Sequence, residues 1–129
     1  MFTTTMKNKI MDALFNGVTL SMPTTFTIGL SKTTPDASGG NITEPASSTG
    51  YSRASGVDFT NSSNGVVLNN NIIEFPMFVA DAGTLTHYVL YDDTGTAVWF
   101  AALKTPRTIE ADTLVTFPSG NLVVELKDY

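Results

Sequence analysis

Three groups of residues in this 129-residue chain have types and spacings that could do chemistry. The sharpest is Asp93-Thr94-Gly95. Aspartic proteases of retroviral type use such a triplet in a dimer, pairing two carboxylates that share one proton. The surroundings here speak against that use. Gly95 is followed by Thr96-Ala97-Val98-Trp99 instead of a small residue and an acid, and no downstream apolar pair precedes a glycine. Asp92 would also crowd a second negative charge onto the site. Asp92-Asp93-Thr94-Gly95 suits a tight chain reversal instead, because Asp tolerates turn geometry and Gly reaches positive φ without steric cost.

The second group centres on His87, the sole histidine. It alternates with Thr86 and Tyr88 inside an apolar run, and no nucleophile elbow accompanies it. One histidine and no cysteine leave no zinc set and no thiol nucleophile. A half-buried histidine bonded to a hydroxyl or carbonyl is the expected reading. The third group is the acids Asp36, Glu44, Asp58, Asp81, Asp92, Asp93 and Asp112, which fall in loops or at strand ends. Their spacing matches no calcium loop and singles out no pair of carboxylates for glycoside hydrolysis. No phosphate-binding or dinucleotide fingerprint occurs. The residues therefore name no enzyme and no cofactor.

The elements that would position these groups are mostly strands. Leu85 to Leu103 holds two apolar, aromatic and β-branched runs around the Asp92–Gly95 reversal, with the only Trp and two of the four Tyr. It reads as the central hairpin of a sheet. Ahead of it, Met6, Ile10, Met11, Leu14 and Phe15 recur at helical spacing, with Thr4 or Thr5 as N-cap and Asn16-Gly17 as the stop. This predicts a short helix within residues 1–17 that caps one end of the sheets. Thr24 to Ser31 alternates as a half-buried strand with Phe26, Ile28 and Leu30 inward. Strand character returns at Tyr51–Thr60, Val66–Leu68, Ile72–Phe75, Pro106–Glu110, Leu114–Phe117 and Leu122–Leu126. The expected fold is all-β: one antiparallel β-sandwich domain of about eight strands over residues 1–129, with the short N-terminal helix.

Between Lys32 and Gly50 lies the longest polar stretch, broken by Pro35, Gly39-Gly40, Pro45 and Gly50. A loop of this length in a small domain is usually a functional element or an arm. Ile42 is its only large apolar residue, so the loop must lie across the domain or be held by a neighbour. Pro45 keeps Glu44 extended. Tyr51 and Arg53, two apart, share a face, and Arg53 is placed to pair with Glu44 across the loop base. Tyr and Arg are also favoured interface anchors. Pro35, Ile42, Thr43, Glu44, Pro45, Tyr51 and Arg53 are accordingly the candidate protein-contact residues.

Composition narrows the partners. The chain is 42% hydrophobic but only 15% charged, against a usual figure of about 25%. Its net charge is −5 with scattered Lys and Arg, which disfavours nucleic acid. Neither a signal peptide nor an apolar run of membrane-spanning length is expected.

Several ordered segments resemble a family of small tailed-bacteriophage virion proteins often labelled phage tail fibre proteins. They are Ile28-Gly29-Leu30-Ser31-Lys32-Thr33-Thr34-Pro35, Ile42-Thr43-Glu44-Pro45, Gly50-Tyr51-Ser52-Arg53 and Glu74-Phe75-Pro76. Further on come Thr86-His87-Tyr88-Val89-Leu90-Tyr91-Asp92 with Gly95, then Ala102-Leu103, Asp112-Thr113-Leu114 and Phe117-Pro118-Ser119-Gly120-Asn121-Leu122. The resemblance departs at Glu74, where a small or apolar residue is expected, and at Ala82-Gly83, where Trp-Gly often stands. It implies a non-enzymatic structural virion component, placed on the tail as fibre, knob or tip, or on the capsid surface as decoration. The implied partners are other virion proteins, tail or major capsid, and copies of itself, with assembly in the host cytoplasm. The rival expectation is a receptor- or glycan-binding module, which requires Trp99 or Tyr91 exposed near an acidic loop.

Overall fold

The computed structural model describes residues 1–126, so the last three residues of the 1–129 domain expectation lie outside it. Among the described residues, one α-helix, α1 (Thr4–Phe15), precedes seven strands, β1 (Thr27–Ser31), β2 (Val66–Leu68), β3 (Ile73–Glu74), β4 (Gly83–Tyr91), β5 (Ala97–Ile109), β6 (Thr116–Phe117) and β7 (Val123–Glu125), with a single 3-10 turn at Ser47–Thr49 between β1 and β2. All pairings among these strands are antiparallel. They form a three-stranded sheet in the order β1-β4-β5 and two small ribbons, β2-β7 and β3-β6.

The expected central hairpin is β4 and β5. Asp92 builds its turn: Oδ1 accepts the Thr94 amide at 2.9 Å, the Thr94 hydroxyl at 2.6 Å and the Thr96 amide at 3.0 Å. Gly95 takes φ +81°, a value costly for any residue with a Cβ. β5 runs further than the sequence pattern suggests. Residues 106–110, expected as a separate edge strand, mostly continue it. Leu85 pairs with Arg107 and His87 with Ala102, so Leu103 to Pro106 bulge out opposite Thr86 alone. Pro106 lacks an amide proton, and the bulge puts it where no ladder bond is needed.

Side chains alternate across this sheet. Ile28, Leu90 and Trp99 occupy one face with Leu30, Tyr88 and Ala101. That face packs on Phe117 and Val124 from the ribbons and on Phe75, Phe78, Val115 and Leu122 from the segments flanking them to form the main core. The opposite face carries Gly29, Val89 and Phe100, with Tyr91 and Ala97 beside them. Gly29 lies on the side of β1 opposite Ile28 and Leu30, the side expected to be open in a half-buried strand. That side is itself buried, and all of Ile28 to Ser31 is inaccessible. Tyr51 to Thr60 makes only single bridges, Ala54 to Ile28 and Phe59 to Asn69, in place of a full strand.

α1 corrects two expectations. Its N-cap is Thr3, not Thr4 or Thr5, and the Thr3 hydroxyl turns away to donate to the Ala97 carbonyl at 3.1 Å. Asn16 and Gly17, at φ +66°, end the helix as anticipated. The helix does not bury the apolar stripe read from sequence. Met6 packs against the core, but Met11, Leu14 and Phe15 stand in solvent, with 70% of Leu14 and 73% of Phe15 exposed.

Candidate functional site

The 32–50 loop lies across the second face of the sheet. Its own hydrogen bonds shape it. Lys32 donates its amide to the Thr43 carbonyl at 2.8 Å, and the Thr33 hydroxyl donates to the Asn41 carbonyl at 2.6 Å. Asp36 Oδ1 gathers the Ser38 hydroxyl and the Ser38 and Gly40 amides, which together hold its carboxyl below the usual range. Ile42 packs on Val89, Tyr91 and Phe100, as its isolation in a polar loop implies. Being partial, that burial contributes on the order of 1 kcal/mol, below the value for a fully buried side chain.

At the loop base four side chains converge over Gly29. Arg53 meets the Glu44 carboxylate edge-on: Nε donates to Oε1 at 3.0 Å and Nη2 to Oε2 at 3.0 Å. The Tyr51 hydroxyl donates to the same Oε1 at 2.6 Å and accepts the Leu30 amide at 3.1 Å. The Arg53 guanidinium carbon sits 3.5 Å from the centre of the Tyr91 ring, a cation–π stack. A Cβ on Gly29 would come within 2.8 Å of both Glu44 Oε1 and Tyr91 Cε2. The strand glycine therefore leaves the space the cluster occupies. Tyr51 joins two regions, because its ring stacks near Phe75 and Phe78 in the main core while its hydroxyl reaches the loop.

The electrostatics follow from these contacts. Burial pushes the Glu44 carboxyl up, but hydrogen bonds from Arg53 and Tyr51 and the Arg53 charge outweigh it and hold the group below its ordinary range. The Tyr51 phenol is driven far above its ordinary value, first by burial and then by Glu44. Burial and the Glu44 charge raise Tyr91 as well, against the opposing pull of Arg53. Every shift moves away from neutrality, so none of these groups is poised for proton transfer near pH 7. The cluster's chemistry is cohesive: it fixes the loop base.

Of the seven candidate contact residues, the structure brings Glu44, Tyr51 and Arg53 into one cluster. Pro35 and Pro45 are buried, Ile42 is half-buried and Thr43 is exposed. The sequence reasoning missed Gly29 and Tyr91. An isolated glycine inside an alternating strand was the available signal for Gly29. The other candidates resolve as scaffold. Asp93 Oδ2 accepts the Thr24 hydroxyl at 3.2 Å and lies on an exposed turn. His87 Nδ1 is 2.8 Å from the Thr86 hydroxyl, and burial lowers its pKa. Trp99 and Tyr91 are only 5% and 4% exposed, which removes the aromatic platform required by the rival glycan-binding expectation. No helix among the described residues is long and apolar enough to cross a membrane.

The Glu44–Tyr51–Arg53 cluster thus holds the 32–50 loop onto an antiparallel β-rich fold. The family model described as Podophage GP4 fiber I protein gp80 matches residues 1–125, and the chain belongs to that family of bacteriophage fibre proteins. No curated protein matches the chain. Membership makes it a structural component of the virion and bears out the resemblance to tail-fibre proteins.

Proposed function

We propose that the chain is a non-enzymatic assembly subunit of the virion, made in the host cytoplasm and built into the tail or the capsid surface as a homo-oligomer that also binds other virion proteins. The observation that carries this reading is the outward face of α1. Met11, Leu14 and Phe15 fall at i, i+3 and i+4 on one side of α1, Val18 follows just past the Gly17 stop, and all four are exposed. A second copy fits that seam in antiparallel orientation. α1 has no acid in its first turn and no base in its last, and Lys7 lies in its N-terminal half, four residues before Met11. In a two-fold pair the Lys7 stem runs toward the partner's Leu14, and its ammonium reaches the negative end of the partner helix.

The 32–50 loop supplies the second contact. Pro35, Pro45 and Tyr51 set its shape from within, while Thr43 and the exposed edges of Ile42, Glu44 and Arg53 face a neighbouring virion protein. The test is the copy number per purified virion together with the sedimentation mass of the isolated protein. Hundreds of copies place the protein on the head, and a handful in multiples of three or six places it on the tail. Absence from the particle sinks the structural reading. A monomeric mass at every concentration sinks the homo-oligomer.

A further inference from the structure

Asn-Gly occurs twice in the chain, at Asn16-Gly17 where α1 ends and at Asn64-Gly65 just before β2, and all four residues are exposed. In this dipeptide the glycine nitrogen can close on the asparagine side-chain carbonyl carbon, because no following side chain shields it. Among the described residues neither glycine amide donates a hydrogen bond. The two backbones differ in what resists the closure, which requires rotation about the asparagine ψ. Asn64 and Gly65, at φ 53° and 75°, are the two central residues of a tight hairpin turn. Reciprocal amide-to-carbonyl bonds between Ser63 and Val66, both 3.0 Å, clamp it, and the Leu126 amide donates to the Gly65 carbonyl at 2.9 Å. Rotation there disrupts all three. At Asn16 (φ −117°, ψ 7°) only one long backbone bond opposes it, the Val18 amide to the Asp12 carbonyl at 3.3 Å. The Asn16 side chain is held by a single exposed bond, Nδ2 to Asp12 Oδ1 at 3.1 Å. Residues 19–23 make no backbone–backbone hydrogen bond, so slack chain takes up the motion.

We propose that Asn16-Gly17 is a self-modification site, which deamidates in water and thereby loosens the end of α1. The Gly17 nitrogen bonds to Asn16 Cγ, the Cγ–Nδ2 bond breaks, and Nδ2 leaves as ammonia with the Gly17 amide proton, giving a cyclic imide. Water then opens the ring. Attack at Cγ returns the normal chain with Asp at 16, and attack at the main-chain carbonyl carbon leaves Gly17 attached through Cγ as isoaspartate. Either product puts a carboxylate four residues after Asp12, at the negative end of the helix, where like charges repel. It also removes the Nδ2 donor. The isoaspartyl form adds a methylene to the main chain and carries Val18 away from the Asp12 carbonyl. Leu14 and Phe15 lie in this last turn, so on the assembly reading the seam ages with it, whereas the deamidation itself does not rest on that reading.

The test incubates the full chain in mildly alkaline buffer, folded and in urea, and follows tryptic peptides by mass, with electron-transfer fragmentation to tell isoaspartate from aspartate. Trypsin separates the sites into Ile10–Lys32, in which Asn16 is the sole side-chain amide, and Ala54–Lys104. In urea the two sites should convert at similar rates. In the folded chain Asn16 should convert at least about tenfold faster than Asn64, because opening the hairpin breaks two more hydrogen bonds. Amide exchange over residues 13–18 of the aged chain should rise about fivefold, as loss of one hydrogen bond requires, and should stay unchanged in aged Asn16→Gln, whose longer side chain closes a ring poorly. Equal rates at the two sites in the folded chain, or faster conversion of Asn64, overturn the site. Full conversion of Asn16 with unaltered exchange overturns the loosening. Mass and α1 exchange are read whether or not copies pair, so failure here leaves the assembly reading to its own test.

Discussion

Glu44 and Arg53 form a bidentate ion pair, Nε to Oε1 and Nη2 to Oε2 both at 3.0 Å, that closes the 32–50 loop onto its own sheet. Their side chains are 26% and 35% exposed, so water screens part of the attraction. The two parallel bonds, the Tyr51 bond and the stack on Tyr91 place the pair above an ordinary surface salt bridge. Removing the carboxylate leaves a half-buried guanidinium and a buried phenol without their acceptor. We expect Glu44→Gln to lose about 1–3 kcal/mol in urea denaturation, and Arg53→Ala a similar amount.

The same carboxylate sets an acid limit. Glu44 titrates below its unfolded value of about 4.3, so its contribution is complete above that pH and is lost as pH falls through the folded pKa. Stability of the native protein should therefore drop more steeply between pH 5 and 3 than that of Glu44→Gln, read as denaturation midpoints across that range (on the order of two pH units). Parallel curves would remove Glu44 from the account.

Gly29→Ala tests the packing over the sheet. The new Cβ meets a carboxylate oxygen and a ring carbon at 2.8 Å, so the cluster must move off the strand. The cost should be about 1–3 kcal/mol, typical of overpacking, even though alanine is otherwise the better strand residue. An unchanged midpoint would mean that the Glu44 and Tyr91 side chains can yield freely.

How legible this was depends on the range over which each signal acts. The β4–β5 reversal was readable because turn residues act locally, and the Asn16-Gly17 stop for the same reason. The Glu44–Arg53 pair was readable because the loop between them is short and opposite charges at its base have few alternatives. Tyr91 was not readable as their partner. Its place over Arg53 depends on Thr27 pairing with Tyr91, a long-range register that no local pattern specifies. Continuation of β5 through Pro106 was hidden because proline normally ends a central strand, and only the bulge removes the conflict. The outward face of α1 defeated the periodicity argument differently. The apolar stripe is real, but periodicity does not say whether its complement lies in the same chain.

The tyrosines set an alkaline limit. Tyr51, Tyr88 and Tyr91 are all raised, each chiefly by burial. The unfolded phenols ionise near pH 10, so the folded state loses stability as pH rises past that value. Absorbance at 295 nm should show these three groups ionising only together with loss of structure, in a cooperative step above the ordinary range. In Tyr51→Phe the step moves to a different pH, and about 1–2 kcal/mol is lost at neutral pH because the Leu30 amide and Glu44 lose their partner. Independent, gradual titration of all the tyrosines would contradict the packing described.

The helix face separates folding from assembly. Leu14 and Phe15 bury little in their own domain, so Leu14→Ser with Phe15→Ser should change the denaturation midpoint of the monomer by no more than about 0.5 kcal/mol. If α1 pairs with a second copy, the same variant loses two large apolar side chains from each half of a symmetric seam. The oligomer should then dissociate at least a hundredfold more readily in sedimentation, since each buried side chain contributes about 1.5–3 kcal/mol. Lys7→Glu should act in the same direction by placing like charge against the partner helix's negative end. A large fall in monomer stability would show that the stripe belongs to the domain's own core. An oligomer that survives both changes would show that the copies meet elsewhere, with the 32–50 loop the next surface to alter.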